Sequence, residues 1–237
     1  AVELAIGNPM YHWCNLELRK FFDYQGYLSP RTVQEIWDLT GEKLRHDPDL
    51  TVRGLIRKAN VAFIGTTDDP IDSLEWHEKI AKDSSITVQV CPSFRPDKAV
   101  NINKAGFADY VGKLAASVGK TELTSAQEVC DALAERLEFF AKMGCRASDH
   151  GLDYVPFRAC TMDEADAAFR KAMSGEALTL AEIEGYQTTL LLHLGRAYHR
   201  LGIVMQLHYS CLRNNNERMF RRMGADTGFD MIAQNTC

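Results

Sequence analysis

Four short apolar segments, each followed by polar residues, alternate with long amphipathic stretches in the second part of the chain. The segments cover residues 61–70, 86–97, 144–153 and 202–213. Short apolar or β-branched segments predict buried strands, and the stretches between them have helical spacing. Parallel neighbours in a sheet require crossover connections, so this alternation predicts an α/β fold with a parallel sheet.

Residues 11–58 have a helical pattern instead. The sequence YHWCNLELRKFF has apolar residues close to one helical stripe, and Ser29 followed by Pro30 predicts the N-cap and first residue of a second helix. We therefore predict a helical region over residues 1–60 and assign the alternating pattern to residues 61–237.

The turn after the first strand distinguishes two α/β architectures. A doubly wound sheet usually has a glycine-rich turn there, whereas FIGTTDDP contains a single glycine. The pattern favours a (β/α)8 TIM-type barrel, which takes about 250 residues for eight strands. Four strands make half of such a barrel, so we expect either a smaller fold or an incomplete barrel.

The composition is that of a globular protein and excludes two classes of partner. The 237 residues carry a net charge of -5 at pH 7, which gives no electrostatic case for binding nucleic acid. No apolar run approaches the roughly 20 residues that cross a bilayer, so we expect no membrane partner. The seven cysteines are scattered singly without a CxxC pair, and no signal peptide is visible. Together these features predict reduced thiols and a cytoplasmic location.

Polar residues at the carboxyl ends of the strands are the candidates for a site, because barrel enzymes bind their substrates at that end. Arg95 follows the second strand between Pro92 and Pro96. A guanidinium held by a stiff loop suits recognition of a carboxylate or phosphate through two hydrogen bonds. A salt bridge with Asp97 is the structural alternative.

Asp149 and His150 end the third strand, where proton transfer, metal ligation and sugar binding are all open to them. Adjacent strand residues point to opposite faces, so only one of the two would face a barrel interior. A turn capped by Asp149 is the structural alternative. The end of the first strand, in contrast, predicts only a helix start with Asp69 as N-cap and Pro70 after it.

His208 ends the fourth strand. It shares one face with Val204 and Gln206, because side chains alternate along a strand. A lone histidine is more often a core residue, but the last inward position before a loop favours a function. In the sequence RNNN that follows, one asparagine is expected to cap the helix ERMFRRMG.

Five motifs resemble those of the uronate isomerase (glucuronate isomerase) family of the amidohydrolase superfamily. They are GNPMYHWCNLELRKFF, GTTDDPIDSLEWHEKIAKD, SFRPDKAVNI, CRASDHGLD and MQLHYSCLRNNNERMFRRMGADTGFD, in the family's order between about residue 7 and residue 231. The resemblance implies a (β/α)8 barrel whose second to fifth strands are the four found here. It also implies isomerisation of D-glucuronate to D-fructuronate, and of D-galacturonate to D-tagaturonate, in hexuronate catabolism.

The resemblance implies roles for individual residues as well. Arg95, in SFRPD, matches the arginine expected to bind the substrate carboxylate. His208, in MQLHYS, matches the active-site histidine at the end of the fifth barrel strand, and we expect it to be catalytic. Asp149, His150 and Arg213 match motif positions near the site, and we expect them to bind substrate. The reaction moves a proton between C2 and C1 through an enediol, which requires a base and a polar environment for the oxyanion.

Two departures from the family concern the metal and the length. Family members often carry a divalent metal, commonly zinc, but the His-x-His pair that supplies its ligands is absent here, as is the Asp-x-Arg motif of a later strand. We therefore expect no metal ligand in this chain. Since the family's full chain is nearly twice as long, we expect a central fragment that is inactive alone. The expected protein partners are the remainder of the barrel, which another chain could supply, or further copies of this chain in a homo-oligomer.

Two other functions remain open from the sequence. A catalytically inactive homologue could bind an acidic sugar or serve a structural role as a dimer of half barrels. Metal-dependent hydrolysis, the commoner chemistry of the superfamily, needs a metal-bound water. The absence of an HxH pair argues against that hydrolysis.

Overall fold

The structure is a computed structural model, and it describes residues 2–233. Its α-helices are α1 (Pro9–Phe22), α2 (Val33–His46), α3 (Val52–Lys58), α4 (Glu75–Lys82), α5 (Asp97–Val100), α6 (Phe107–Ser117), α7 (Ala126–Lys142), α8 (Met162–Ser174), α9 (Leu180–Leu201) and α10 (Glu217–Met223). Its strands are β1 (Phe63–Gly65), β2 (Gln89–Cys91), β3 (Ala147–Gly151), β4 (Val204–His208), β5 (Cys211–Leu212) and β6 (Met231–Ile232). Contacts divide the described residues into two compact units. One contains the residues up to 64 with 81–89, and the other contains 65–80 with those from 90 onward.

The first unit contains α1, α2 and α3, in agreement with the helical pattern of residues 11–58. The expected start of the second helix was wrong. The helix α2 begins at Val33 after Thr32, because the Thr32 backbone N–H donates to the carbonyl of Ser29 and closes a turn first. The predicted boundary at residue 60 stays a prediction.

The four predicted strands are neighbours in chain order. β1 is hydrogen-bonded to β2, and β3 is parallel to β4 with Gly151 opposite His208. Phe94, just beyond β2, forms parallel bridges with Asp68 on one side and Ser148 on the other, and so joins the two pairs. The predicted parallel α/β arrangement is confirmed, although the described residues do not close a barrel.

Helices of the second unit cover one face of this parallel array. Phe94 is fully buried, and its ring makes edge-to-face contacts with Phe140 of α7 and Tyr198 of α9, at centroid distances of 5.1 and 6.3 Å. Such ring pairs contribute about 0.5–1.5 kcal/mol beyond burial alone. Other fully buried core side chains are Leu114, Leu133, Leu137, Phe169, Tyr186, Leu190 and Leu194. The apolar stripes predicted for these helices therefore form the core.

Of the two helix N-caps predicted after strand ends, one is confirmed and one is wrong. Asn216 is the N-cap of α10, and its side chain accepts a hydrogen bond from the backbone of Met219 at 3.1 Å, as expected for one asparagine of RNNN. Asp69 does not cap a helix, because α4 begins only at Glu75 and Asp69 instead accepts a hydrogen bond from the Tyr110 hydroxyl at 2.7 Å. The antiparallel pair of β5 and β6 has no counterpart among the expected elements.

The cysteines agree with the expected reduced state. Those that the structure describes are free: Cys14, Cys91, Cys130, Cys145, Cys160 and Cys211. Cys237 lies outside the described residues. Within residues 2–233, none of the helices combines the length and the apolar character that crossing a membrane requires.

Candidate active site

Polar side chains from neighbouring strands meet at the carboxyl edge of the parallel array. Arg95 follows the bridging residue Phe94, Asp149 lies within β3, and His208 is the last residue of β4. Asp149 and Gly151 are two residues apart on β3, and Gly151 is opposite His208, so all three are on one face. Parallel α/β folds bind their ligands at this edge.

Asp149 is at the centre of the cluster. Its Oδ1 lies 3.1 Å from Nε2 of His208, and its Oδ2 accepts hydrogen bonds from Nη1 of Arg95 at 3.3 Å and from the Thr67 hydroxyl at 3.2 Å. The Asp149 side chain is 13% exposed, whereas that of His208 is 58% exposed. The carboxylate therefore holds one edge of the imidazole while much of the ring faces solvent. Hydrogen bonds to an ionised carboxylate are stronger than those between neutral groups.

A second carboxylate, Asp97, binds Arg95 at a different nitrogen. Nε of Arg95 donates to Oδ2 of Asp97 at 2.8 Å, and the Gly151 backbone N–H donates to Oδ1 and Oδ2 of Asp97 at 3.1 and 3.0 Å. The hydrogen bond to Asp97 raises the pKa of Arg95. Burial raises the pKa of Asp97, and the hydrogen bond from Arg95 opposes this rise. The salt bridge considered as a structural alternative is therefore present alongside the contact with Asp149.

A cavity of about 610 Å³ opens beside these groups. Arg213 also reaches it, and its Nη1 donates to Asp230 at 2.6 Å. The backbone N–H of Asn214 and the Arg213 guanidinium both donate to Asp230 and lower its pKa. The lining residues are Arg95, Asp97, Gly151, Leu152, Asp153, Leu207, His208, Tyr209, Cys211 and Arg213. Two guanidinium groups and two carboxylates, Asp97 and Asp153, line the cavity, and a guanidinium with free donors suits a carboxylate ligand.

His150 points away from this cavity into the core. Its ring is fully buried, its Nε2 lies 3.1 Å from the Tyr198 hydroxyl, and its Nδ1 has no hydrogen-bond partner in the described part of the chain. Burial lowers the pKa of His150 from 6.5 to about 4. Because β3 continues through residue 151, His150 and Asp149 point to opposite faces, as the alternation predicted. Direct substrate binding by His150 has no support from this position.

The expected site residues that the structure brings together are Arg95, Asp149, His208 and Arg213. Thr67, Asp97 and Gly151 also belong to the cluster and were not expected as site residues. Asp97 carried a signal in the sequence, because it is a carboxylate two positions after Arg95. Gly151 carried a weaker one: a Cβ at this position would lie 2.5 Å from Nη2 of Arg95, so the glycine provides room for the guanidinium.

The described residues do not by themselves fit the zinc that the resemblance implies. Within residues 2–233, no group of three or more His, Cys, Asp and Glu side chains is arranged to hold a metal ion. His208 and Asp149 are two candidate ligands, but Asp149 already binds the Arg95 cation. Further ligands would have to come from outside the described residues.

Comparisons with known proteins identify similar sequences. A family model described as glucuronate isomerase matches residues 1–237. The uronate isomerase of Lachnoclostridium phytofermentans is 49% identical over 231 residues, which cover 98% of this chain and 49% of that protein. The uronate isomerase of Lachnospira eligens is 44% identical over 236 residues, covering 100% of this chain and 50% of that protein. The chain spans about half the length of the curated relatives it matches.

Two solved structures are similar over nearly the whole chain. A crystal structure of uronate isomerase from Thermotoga maritima aligns with a TM-score of 0.89 at 35% identity, covering 98% of this chain and 51% of that one. A crystal structure of glucuronate isomerase from Caulobacter crescentus aligns with a TM-score of 0.88 at 23% identity, covering 99% and 48%. The second likeness supports the fold alone. The resemblance in the five sequence motifs is confirmed.

Proposed function

Because the chain belongs to the glucuronate isomerase family, we propose that the complete protein interconverts uronate aldoses and ketoses. The reactions are D-glucuronate to D-fructuronate and D-galacturonate to D-tagaturonate, within hexuronate catabolism. Residues 61–237 would supply the second to fifth strands of an eight-stranded (β/α)8 barrel, and residues 1–60 a helical region before the second strand. The observation that carries the proposal is that Arg95 and His208 line one cavity and are both bound to the Asp149 carboxylate.

Arg95 is the group proposed to bind the substrate carboxylate. A guanidinium has five N–H donors. Two of these donate to Asp97 and Asp149, which leaves three without a partner in residues 2–233. Arg213 adds a second positive charge on the same cavity. The cavity volume of about 610 Å³ lies within the range of about 300–1,000 Å³ that is usual for small-molecule sites.

His208 is the group proposed to transfer a proton. When Nε2 carries the proton that Asp149 accepts, Nδ1 of the neutral ring is left as an acceptor. Isomerisation removes a proton from C2 and adds one to C1, while the oxygen on C2 loses a proton and that on C1 gains one. A base beside the sugar accelerates such a step by typically 10²- to 10⁴-fold.

The test uses the complete protein, meaning the product of the full reading frame that contains this sequence. It is expressed beside residues 1–237 alone, and both are assayed for formation of ketose from D-glucuronate and D-galacturonate. We expect turnover by the complete protein and none by residues 1–237, because half a barrel leaves unpaired strand edges. A complete protein that binds D-glucuronate without turnover would favour the inactive homologue. Robust turnover by residues 1–237 alone would contradict the proposed division of the barrel.

The location and assembly of the complete protein are part of the same proposal. The free state of the six described cysteines supports a reducing compartment, and we propose the cytoplasm. Fractionation of cells that express the complete protein tests this location. Size-exclusion chromatography with mass measurement determines whether the complete protein is a monomer or a homo-oligomer.

A further inference from the structure

Arg95 is held by two carboxylates that have different surroundings. The contact of Nε with Asp97 is 2.8 Å long, whereas that of Nη1 with Asp149 is 3.3 Å long. Asp149 also contacts His208 and Thr67, so Arg95 is one of its three side-chain partners. Asp97 binds the guanidinium through the shorter hydrogen bond, and its side chain is only 18% exposed.

Asp97 is itself fixed by the sheet. Both of its oxygens accept the Gly151 backbone N–H, at 3.1 and 3.0 Å. Gly151 is the last residue of β3 and lies opposite His208 in the parallel ladder. The Asp97 carboxylate therefore connects the loop that carries Arg95 to the strand position that is paired with the proposed proton-transfer residue.

Gly151 contributes space as well as its N–H. A Cβ at this position would lie 2.5 Å from Nη2 of Arg95 and 3.0 Å from Oδ2 of Asp97. Its φ is outside the left-handed region, so the backbone conformation does not itself require glycine. The close approach of the guanidinium explains the absence of a side chain.

We infer that Asp97, together with Gly151, is a positioning element that fixes which edge of the Arg95 guanidinium faces the substrate carboxylate. The inference rests on the proposed function. With Nε donating to Asp97, the edge formed by Nη1 and Nη2 has the remaining donors. A planar guanidinium binds a carboxylate best through two parallel hydrogen bonds, so its rotation about the side-chain axis decides the affinity.

The experiment compares Asp97→Asn and Gly151→Ala in the complete protein. Asparagine keeps the shape of aspartate but loses its charge. With its oxygen at the Oδ2 position it still accepts from Nε of Arg95, but its amide N–H₂ then takes the Oδ1 position and faces the Gly151 N–H. Alanine at 151 displaces Nη2. We expect each variant to weaken binding of D-glucuronate by about tenfold, measured as Kd by calorimetry and as KM, because a hydrogen bond to a charged group is disturbed. We expect a smaller decrease in kcat, because the uronate carboxylate is distant from C1 and C2.

A double-mutant cycle separates positioning from general stability. Both substitutions are repeated in an Arg95→Ala background, where we expect their effects on Kd to fall below about twofold because the positioned group is gone. Asp131→Asn, at an exposed carboxylate on α7, is the charge-matched control. Circular dichroism and the thermal midpoint verify that each variant is folded.

Four results separate this inference from the proposed function. Folded Asp97→Asn and Gly151→Ala variants with unchanged Kd would overturn the inference, and so would equal losses in the Arg95 and Arg95→Ala backgrounds. A complete protein that binds D-glucuronate without turnover would contradict the proposed reaction. The ratio of Kd between each variant and its parent would still decide the role of Asp97. A complete protein that neither binds nor converts uronates would overturn both.

Discussion

Nε2 of His208 lies 3.1 Å from Oδ1 of Asp149, although the residue opposite His208 in the ladder is Gly151. The contact is therefore diagonal across two parallel strands. Gly151, the residue opposite His208, has no side chain to occupy the space beside the imidazole. Because Asp149 also binds Arg95, a single carboxylate connects the end of β4 to the loop after β2. His208, which is proposed to transfer protons, and Arg95, which is proposed to bind the substrate carboxylate, therefore both contact the Asp149 carboxylate.

Replacement of Asp149 by asparagine tests this shared contact. An asparagine has one acceptor and one donor end, so when its oxygen faces Arg95 its amide N–H₂ faces Nε2 of His208. We expect kcat of the complete protein for D-glucuronate to fall by on the order of 10²-fold, because the amide donates to Nε2 and favours the tautomer protonated at Nδ1, which removes the proposed acceptor. Steady-state kinetics measure this change. A folded Asp149→Asn variant with kcat within twofold of the parent would contradict the role proposed for the pair.

The faces of the central strands were predictable from the sequence alone. Strict alternation separates Asp149 from His150, and it aligns Gln206 with His208, without knowledge of any long-range contact. The alternation also identified four strands whose carboxyl ends meet at one edge. These features depend on local backbone geometry, which the pattern of apolar and polar residues reports directly.

Other features depend on contacts between distant parts of the chain. The position expected to cap a helix, Asp69, accepts a hydrogen bond from Tyr110, which lies 41 residues later. The bond between Arg95 and Asp149 joins residues 54 positions apart. β5 and β6 have two residues each, too few to produce a periodic signal. The pattern of apolar and polar residues within one segment does not show which distant residue will be the partner.

Replacement of Arg95 by lysine tests carboxylate recognition. Lysine keeps the positive charge but has no planar fork of donors. We expect KM of the complete protein for D-glucuronate to rise on the order of ten- to a hundredfold with a smaller change in kcat, since the lost contact stabilises ground state and transition state alike. Arg170→Lys, at an exposed position on α8, is the matched control. An unchanged KM in Arg95→Lys would mean that another group binds the carboxylate.

The buried His150 predicts a pH dependence of stability. Its pKa in the folded protein is about 4, against 6.5 for the free side chain. The unfolded chain therefore binds more protons between these pH values, and the stability that the neutral buried ring contributes is lost as the pH falls through this window. For the parent we expect the free energy of unfolding to fall by about 3 kcal/mol more from pH 7 to pH 4 than for His150→Asn.

Denaturant titrations at several pH values measure this difference. His199→Asn, at an exposed position of α9, is the comparison. Identical pH profiles for the parent and His150→Asn would show that His150 is charged in the folded protein or accessible to solvent.

Phe94 joins the two strand pairs, so its replacement by alanine should destabilise the parallel array. Its ring is fully buried between Phe140 and Tyr198, and its backbone bridges Asp68 and Ser148. Removal of a buried phenylalanine ring costs about 3–5 kcal/mol, because transfer energy is lost and a cavity remains. We expect a loss of this size for residues 1–237, measured by urea titration followed by circular dichroism.

Phe157→Ala provides the contrast, because its side chain is 82% exposed in the same chain. We expect that substitution to change the free energy of unfolding by no more than about 0.5 kcal/mol. Equal effects of the two substitutions would mean that Phe94 is not at the centre of the core. The bridges to the neighbouring strands would then have to form without support from the ring.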